Sequence, residues 1–91
     1  MVSNGRKKGQ TRFSFKPEQA AKSVCLVGSF NKWSPTTMTK QKDGSYAANI
    51  DLKPGSYEYK FLVDGQWRLD PDNSSWAANP YGTLNSVVAV Q

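Results

Sequence analysis

The chain has 91 residues, of which 37% are hydrophobic, so it predicts one small domain with a modest core and no deep catalytic cleft. The formal net charge is +5, but the excess lies in residues 1–22, because residues 23–91 have six basic and six acidic side chains. The chain has no His and one Cys, which excludes a Ser-His or Cys-His nucleophile pair, an internal disulfide and a zinc site of Cys and His ligands.

Residues 1–10 are polar and basic without apolar periodicity, so we predict a disordered basic arm that precedes a folded domain at residues 11–91. The run Arg6-Lys7-Lys8 is weak evidence for a phosphate contact, and we expect a solvated tail without a nucleic-acid partner. The chain contains no apolar run typical of a secretory signal or of a membrane helix of about 20 residues. We therefore expect a soluble protein in the reducing cytoplasm, without a membrane partner.

Short alternating segments separated by turn residues make up the rest of the chain. Residues 11–16 alternate Phe13 and Phe15 with polar side chains, and residues 23–30 place Val24, Leu26 and Phe30 on one face around Gly28. A glycine inside a strand indicates a bulge or a close backbone approach. Further strands are predicted at residues 36–40, 45–52, 55–69 (a hairpin) and 83–90. About seven short strands without a convincing helix predict an all-β fold, a small antiparallel β-sandwich.

Residues 55–69 form the clearest hairpin pattern. Aromatic or apolar side chains at positions 57, 59, 61 and 63 share one face of an extended strand, which leaves Lys60 and Leu62 on the other. Asp64-Gly65 is a two-residue turn whose residues both need a positive φ. Trp67 follows two residues after Gly65, so we expect it to lie close to Lys60. The predicted core residues of the whole chain are Val24, Leu26, Phe30, Tyr46, Ile50, Leu52, Tyr57, Tyr59, Phe61 and Val88.

The carboxylates predict neither a metal site nor an enzyme. Residues 70–74 begin like a calcium loop, but Ser75 and Tyr81 stand where Gly and Glu are required. Asp64, Asp70 and Asp72 resemble a glycosidase pair only loosely, since paired carboxylates are common on surfaces. We expect no catalytic residue, no metal and no cofactor.

The candidate binding residues are aromatic and polar side chains towards the ends of the predicted strands: Trp33, Lys60, Trp67, Tyr81, Thr83 and Asn85. An indole presents an apolar face to the C–H groups of a sugar ring, while Lys, Thr and Asn side chains hydrogen-bond its hydroxyls. By analogy with base stacking, each stacking contact contributes about 1–3 kcal/mol. Composition alone leaves open the alternative that these aromatic side chains fill the core.

Four stretches of the sequence carry a family resemblance. They are Val-Gly-Ser-Phe-Asn-Lys-Trp (27–33), Tyr-Glu-Tyr-Lys-Phe-Leu-Val-Asp-Gly-Gln-Trp (57–67), Asp-Pro (70–71) and Asn-Pro-Tyr-Gly-Thr-Leu-Asn-Ser-Val (79–87). Together they resemble the glycogen-binding carbohydrate-binding modules of family 48. These modules include the glycogen-binding domain of the AMP-activated protein kinase β subunit and N-terminal domains of branching and debranching enzymes.

The resemblance implies an immunoglobulin-like β-sandwich that binds α-1,4-linked glucan (glycogen, starch or maltooligosaccharides) without catalysis. The two stacking Trp residues of the family match Trp33 and Trp67, and its sugar-contacting Lys matches Lys60. The terminal Gly-Thr-x-Asn motif supplies Thr83 and Asn85. Tyr81 differs, because kinase-type modules have a sugar-contacting Leu at that position.

The implied partners are an α-glucan and either a glucan-metabolising enzyme or a kinase. The alternative function is an interaction module that docks a catalytic domain or kinase partner and binds no sugar.

Overall fold

The computed structural model describes residues 2–4, 9–17, 21–73 and 75–90, with two antiparallel sheets and no α-helix among them. The described strands are β1 (Val2–Asn4), β2 (Gln10–Phe15), β3 (Val24–Gly28), β4 (Thr36–Thr37), β5 (Thr39–Lys40), β6 (Tyr46–Asp51), β7 (Gly55–Val63), β8 (Gln66–Arg68), β9 (Trp76–Ala78) and β10 (Leu84–Val90). A 3₁₀ turn at Ser29–Asn31 follows β3. The predicted all-β antiparallel sandwich is confirmed.

The smaller sheet has the strand order β1-β2-β6-β5, and the larger has the order β4-β3-β7-β10-β9. Strand β8 also pairs with β7, beyond the end of β10. The central strand β7 therefore has β3 along one edge and β10 followed by β8 along the other. A residue on β7 can contact side chains from both halves of the larger sheet.

Aromatic side chains join the two sheets. Phe13 of the smaller sheet meets Tyr59 of the larger edge-on, with ring centroids 5.0 Å apart, and Phe15 lies 4.9 Å from Phe61. Phe13, Tyr59 and Phe61 have no exposed surface. Such offset aromatic pairs add about 0.5–1.5 kcal/mol each to the burial of their area. Seven predicted core residues are buried, and the other three, Phe30, Ile50 and Tyr57, pack partly buried against them.

The hairpin turn is confirmed in detail. Asp64 and Gly65 have φ angles of 48° and 83°, and Val63 pairs with Gln66 on either side of them. The Asp64 carboxylate also accepts hydrogen bonds from the backbone N–H groups of Lys22 and Ser23, at 2.9 and 2.8 Å. One turn residue therefore anchors the beginning of β3.

Three predicted segments differ in the structure. The strand predicted at residues 23–30 ends at Gly28, where the 3₁₀ turn at Ser29–Asn31 begins. The strand predicted at residues 36–40 is divided at Met38, which is 3% exposed and lies in the core, so β4 and β5 belong to different sheets. The predicted disordered arm at residues 1–10 includes Val2–Asn4, which pair with β2. Residues 1 and 5–8 lie outside the described part of the chain, and the domain boundary at residue 11 stays a prediction.

Candidate functional site

The predicted site lies on the outer face of the larger sheet, defined as the face turned away from the smaller sheet. Tyr59 and Phe61 point into the core, so Lys60 between them points outward. Trp67 pairs with Leu62, which shares the outward side of β7 with Lys60. The expected proximity of Lys60 and Trp67 follows from this register, and the Trp67 side chain is 53% exposed.

Lys60 and Thr83 are in direct contact. The Lys60 ammonium group donates a hydrogen bond to the Thr83 hydroxyl at 3.1 Å. Thr83 lies in the loop of residues 79–83, which joins the edge strand β9 to β10. The two predicted site residues Lys60 and Thr83, which are distant in the sequence, are therefore in contact. Lys60 belongs to β7, the strand that pairs with the strand of Trp67.

Asn79 organises that loop. Its side-chain oxygen accepts hydrogen bonds from the backbone N–H groups of Tyr81 and Thr83, at 3.0 and 3.1 Å. Its amide nitrogen donates to the Thr83 hydroxyl at 2.6 Å and to the Asn85 side-chain oxygen at 3.1 Å. The sequence pattern alone assigns Asn79 no role in the site, although an Asn before Pro near a predicted turn is a local signal for one.

Asn85 and Tyr81 differ sharply in exposure. Asn85 is 5% exposed, and its amide nitrogen also donates to the Glu58 carboxylate at 3.1 Å. Each end of an amide can make a second hydrogen bond, so a sugar contact from Asn85 stays a prediction. Tyr81 is 90% exposed at the tip of the loop, so its ring is available to a ligand.

Trp33 lies in the loop that follows the 3₁₀ turn. It is 41% exposed, which contradicts the alternative that it is sealed in the core. Its backbone N–H donates to the Gly28 carbonyl at 2.9 Å, at the end of β3. Lys32 and Trp33 have φ angles of 56° and 60°, a left-handed conformation that costs a non-glycine residue of order 1–3 kcal/mol.

Hydrogen bonds of the Asn31 side chain and close packing at Gly28 hold this strained loop in position. The Asn31 side-chain oxygen accepts from the Gly28 N–H at 2.9 Å, and its amide nitrogen donates to the Leu26 carbonyl at 3.2 Å and the Thr36 hydroxyl at 3.1 Å. A methyl group at Gly28 would lie 2.8 Å from the backbone carbonyl oxygen of Glu58 on the neighbouring strand and 2.5 Å from the Phe30 ring. The close approach predicted at Gly28 is confirmed.

Strand order sets the arrangement of the two tryptophans. Trp33 follows β3 and Trp67 belongs to β8, and these strands pair with opposite edges of β7. Lys60, on β7, therefore lies between the segments that carry the two indoles. The coplanarity and spacing of the rings stay predictions.

Among the described residues, no group of three or more acidic or Cys side chains is arranged to hold a metal ion. In the same part of the chain, no helix has the length and apolar character needed to cross a membrane.

Residues 10–91 match the protein family described as the glycogen recognition site of AMP-activated protein kinase. The chain belongs to this family. Membership confirms the predicted resemblance and glucan recognition as the function of the module. The alternative of a sugar-free docking module is not favoured by this match.

The glycogen-recognition module has relatives among curated proteins. The 5'-AMP-activated protein kinase subunit beta-1 of Sus scrofa is 41% identical over 70 residues, which cover 77% of this chain and 56% of that protein. The Homo sapiens subunit beta-1 is 40% identical over 70 residues, 77% of this chain and 25% of that protein. Protein PTST homolog 2, chloroplastic, of Arabidopsis thaliana is 47% identical over 53 residues, 57% of this chain and 10% of that protein. The module thus spans from a tenth to about half of these relatives.

Solved structures share the fold of the module. The maltogenic amylase from S. marinus superposes with a TM-score of 0.76 and 24% identity, over all of this chain and 15% of that one. A putative alpha amylase from Salmonella typhimurium gives 0.73 and 21%, over 98% of this chain and 14% of that one. At these identities the likeness establishes the β-sandwich alone.

Proposed function

We propose that the module binds α-1,4-linked glucan, as in glycogen, starch or maltooligosaccharides, on the outer face of the larger sheet. The contact between the Lys60 ammonium and the Thr83 hydroxyl carries this proposal, because it fixes two hydrogen-bonding groups beside the exposed Trp67. A sugar stacked on that indole would direct hydroxyls at its rim towards these groups.

The stacking and hydrogen-bonding roles follow from the chemistry of each side chain. The indoles of Trp33 and Trp67 stack on the apolar faces of glucose rings. The Lys60 ammonium has three N–H donors, of which Thr83 takes one, so two remain for sugar hydroxyls. The Thr83 hydroxyl lies in the same hydrogen-bond network.

Tyr81 and Asn85 complete the site at different depths. Tyr81, almost fully exposed, lines the rim and meets a neighbouring glucose. Asn85 holds the Glu58 and Asn79 side chains and offers its remaining hydrogen-bonding capacity to a hydroxyl. Asn85 therefore contributes largely by fixing the positions of the side chains beneath the site.

Binding at this open surface is expected to be weak for short chains. Two stacking contacts of about 1–3 kcal/mol each and a few hydrogen bonds at an open surface offset the entropy of association only modestly, so we expect a Kd between about micromolar and millimolar. Glycogen and starch present many equivalent segments, so avidity raises retention on the polymer.

The module acts without chemical conversion and localises an associated activity. Asp70, the most buried carboxylate described, is tied to the Tyr59 hydroxyl rather than open to a ligand, and the chain has no His. Relatives named as kinase β subunits make a kinase the natural associated activity, and a glucan-metabolising enzyme is the other candidate. We place the protein in the cytoplasm, where glycogen is available to it.

Titration with linear maltooligosaccharides of increasing length, followed by Trp fluorescence, tests the proposal. Trp67→Ala and Lys60→Ala should each weaken maltoheptaose binding about tenfold or more, since a stacking or charged hydrogen-bond contact is lost. Lys42→Ala is the matched control, because Lys42 is an exposed lysine in the turn between β5 and β6. Unchanged titrations for both site variants, with wild-type melting curves, would overturn the assignment of Lys60 and Trp67 to the site. A wild type that shows no titration at all would favour the sugar-free docking module.

A further inference from the structure

Trp76 lies on the opposite side of the larger sheet from the proposed glucan site. It belongs to the edge strand β9 and pairs with Ser86, which is fully buried and pairs in turn with the core residue Tyr59. Directly paired residues share one face of a sheet, so Trp76 is on the inner side, whereas Trp67 is on the outer. At this edge the inner side is open, and Trp76 is 55% exposed.

A cavity of about 300 Å³ adjoins this indole, a volume at the lower end of the range for ligand pockets. Its lining residues are Leu69, Asp70, Pro71, Asp72, Asn73 and Trp76. We refer to it as the Trp76 cavity. It shares no residue with the predicted site on the outer face.

The wall of the Trp76 cavity is fixed by hydrogen bonds to the core. The Tyr59 hydroxyl donates to the Asp70 carboxylate at 2.7 Å, and the Asp72 N–H donates to the same carboxylate at 3.0 Å. The Asn73 amide nitrogen donates to the Val87 carbonyl at 2.8 Å and to Tyr59 at 3.0 Å. A wall held in this way needs little ordering when a ligand binds, which favours affinity.

The chemistry of the cavity selects among ligands. Trp76, Leu69 and Pro71 supply apolar surface. The exposed Asp72 carboxylate can accept several hydrogen bonds, so hydroxyl donors can add to the contacts that it already makes. An acidic wall repels phosphates, which disfavours nucleic acids and phosphorylated ligands. A neutral ring with an apolar face and hydroxyl donors at its edge matches both features.

We propose that the Trp76 cavity is a second glucan subsite, in which one glucose residue stacks on Trp76 and donates hydroxyl hydrogen bonds to Asp72. The inference rests on the proposed glucan binding at the outer face. Two subsites on opposite sides of one sheet let the module hold two neighbouring chains of a branched polymer, so the second subsite acts mainly through avidity.

The three tryptophans of the chain make a direct experiment possible, because each indole N–H gives one resonance in a ¹⁵N-labelled sample. Each resonance is assigned by a single Trp→Phe substitution, and wild-type protein is then titrated with maltoheptaose. The Trp67 resonance should saturate first. The Trp76 resonance should shift along a separate curve with a Kd at least tenfold weaker, and this shift should persist in Trp67→Ala.

Variants separate the two sites on the polymer. Trp76→Ala should lower retention on glycogen about three- to tenfold and change the maltoheptaose affinity at Trp67 less than twofold. Trp76→Phe keeps an aromatic face and should preserve most of the wild-type retention on glycogen. Trp67→Ala combined with Trp76→Ala should bind no measurable maltoheptaose.

The outcomes distinguish the two proposals. Movement of the Trp67 resonance with a stationary Trp76 resonance overturns the second subsite and leaves the outer-face site intact. No movement of any indole overturns both. A Trp76 resonance that changes with protein concentration, and not with sugar, overturns the subsite in favour of a protein-docking edge. The wild-type titration decides the matter even if Trp76→Ala fails to fold.

Discussion

Asn79 is the residue on which the polar half of the proposed glucan site depends. Its one amide group holds two backbone N–H groups of the 79–83 loop and the side chains of Thr83 and Asn85. Thr83 in turn accepts from Lys60. Asn79 is thus a positioning residue: it orients the groups that are proposed to contact the sugar without being one of those groups.

Substitution of Asn79 should therefore weaken glucan binding through Thr83. We expect Asn79→Ala to lower maltoheptaose affinity about five- to twentyfold, and Thr83→Val to do likewise. The double variant should be little weaker than either single one, because residues that share a network are not additive. Calorimetric titration of the four proteins measures the coupling. Asn49→Ala, at an exposed position of the smaller sheet, is the control. Fully additive losses would show that Asn79 acts independently of Thr83.

At the scale of the elements, a sequence predicts features that depend on local backbone preferences. It does not predict features that depend on long-range packing. The Asp64-Gly65 hairpin follows from the φ preferences of two residues, and the expected proximity of Lys60 and Trp67 follows from its register. The division at Met38 does not, because it depends on which sheet covers that side chain. Strand β9 is absent from the predicted strands, because the three residues Trp76–Ala78 are too short a segment to show strand periodicity.

The end of β3 shows how packing at an element can control a site loop. Gly28 has an extended backbone, with φ at −162°, so substitution there is limited by space alone. A methyl group would lie 2.8 Å from the Glu58 carbonyl of the neighbouring strand and 2.5 Å from Phe30. Because the Gly28 carbonyl also holds the Trp33 N–H, any shift of β3 moves the Trp33 loop.

Gly28→Ala should consequently affect both stability and binding. We expect a loss of about 1–3 kcal/mol in the free energy of unfolding, as overpacking costs in well-packed cores, and weaker glucan binding. Gly44→Ala is the matched control. Gly44 has a φ of +87° and open space around it, so the substitution should cost about 1 kcal/mol through backbone conformation and leave binding unchanged. Denaturant unfolding and maltoheptaose titration test both variants. Unaltered binding in Gly28→Ala would contradict the coupling of β3 to the Trp33 loop.

For the whole molecule, Tyr59 connects the core to the loop after β8. Its ring packs between Phe13 and Phe61, while its hydroxyl donates to the Asp70 carboxylate and accepts from Asn73. Burial of the phenol, with the Asp70 carboxylate beside it, raises the pKa of Tyr59 well above its ordinary value of about 10. The folded protein therefore keeps this proton at a pH where the unfolded chain releases it.

The sign of the resulting pH dependence follows from proton binding. Above about pH 10 the unfolded state binds fewer protons than the folded state, so stability falls as pH rises, by up to about 1.4 kcal/mol per pH unit for this one group. Below that pH the contribution of Tyr59 is fully present.

Tyr59→Phe removes the titrating hydroxyl and leaves Asp70 buried without that donor, so it should destabilise the protein by about 1–3 kcal/mol at pH 7. The difference in stability between wild type and Tyr59→Phe should then shrink between pH 10 and 12, as measured by urea unfolding at each pH. The ionisations of the lysines and of the other tyrosines are common to both proteins, so they cancel in this comparison. A difference in the free energy of unfolding that stays constant across this range would mean that the fold does not hold the Tyr59 hydroxyl protonated.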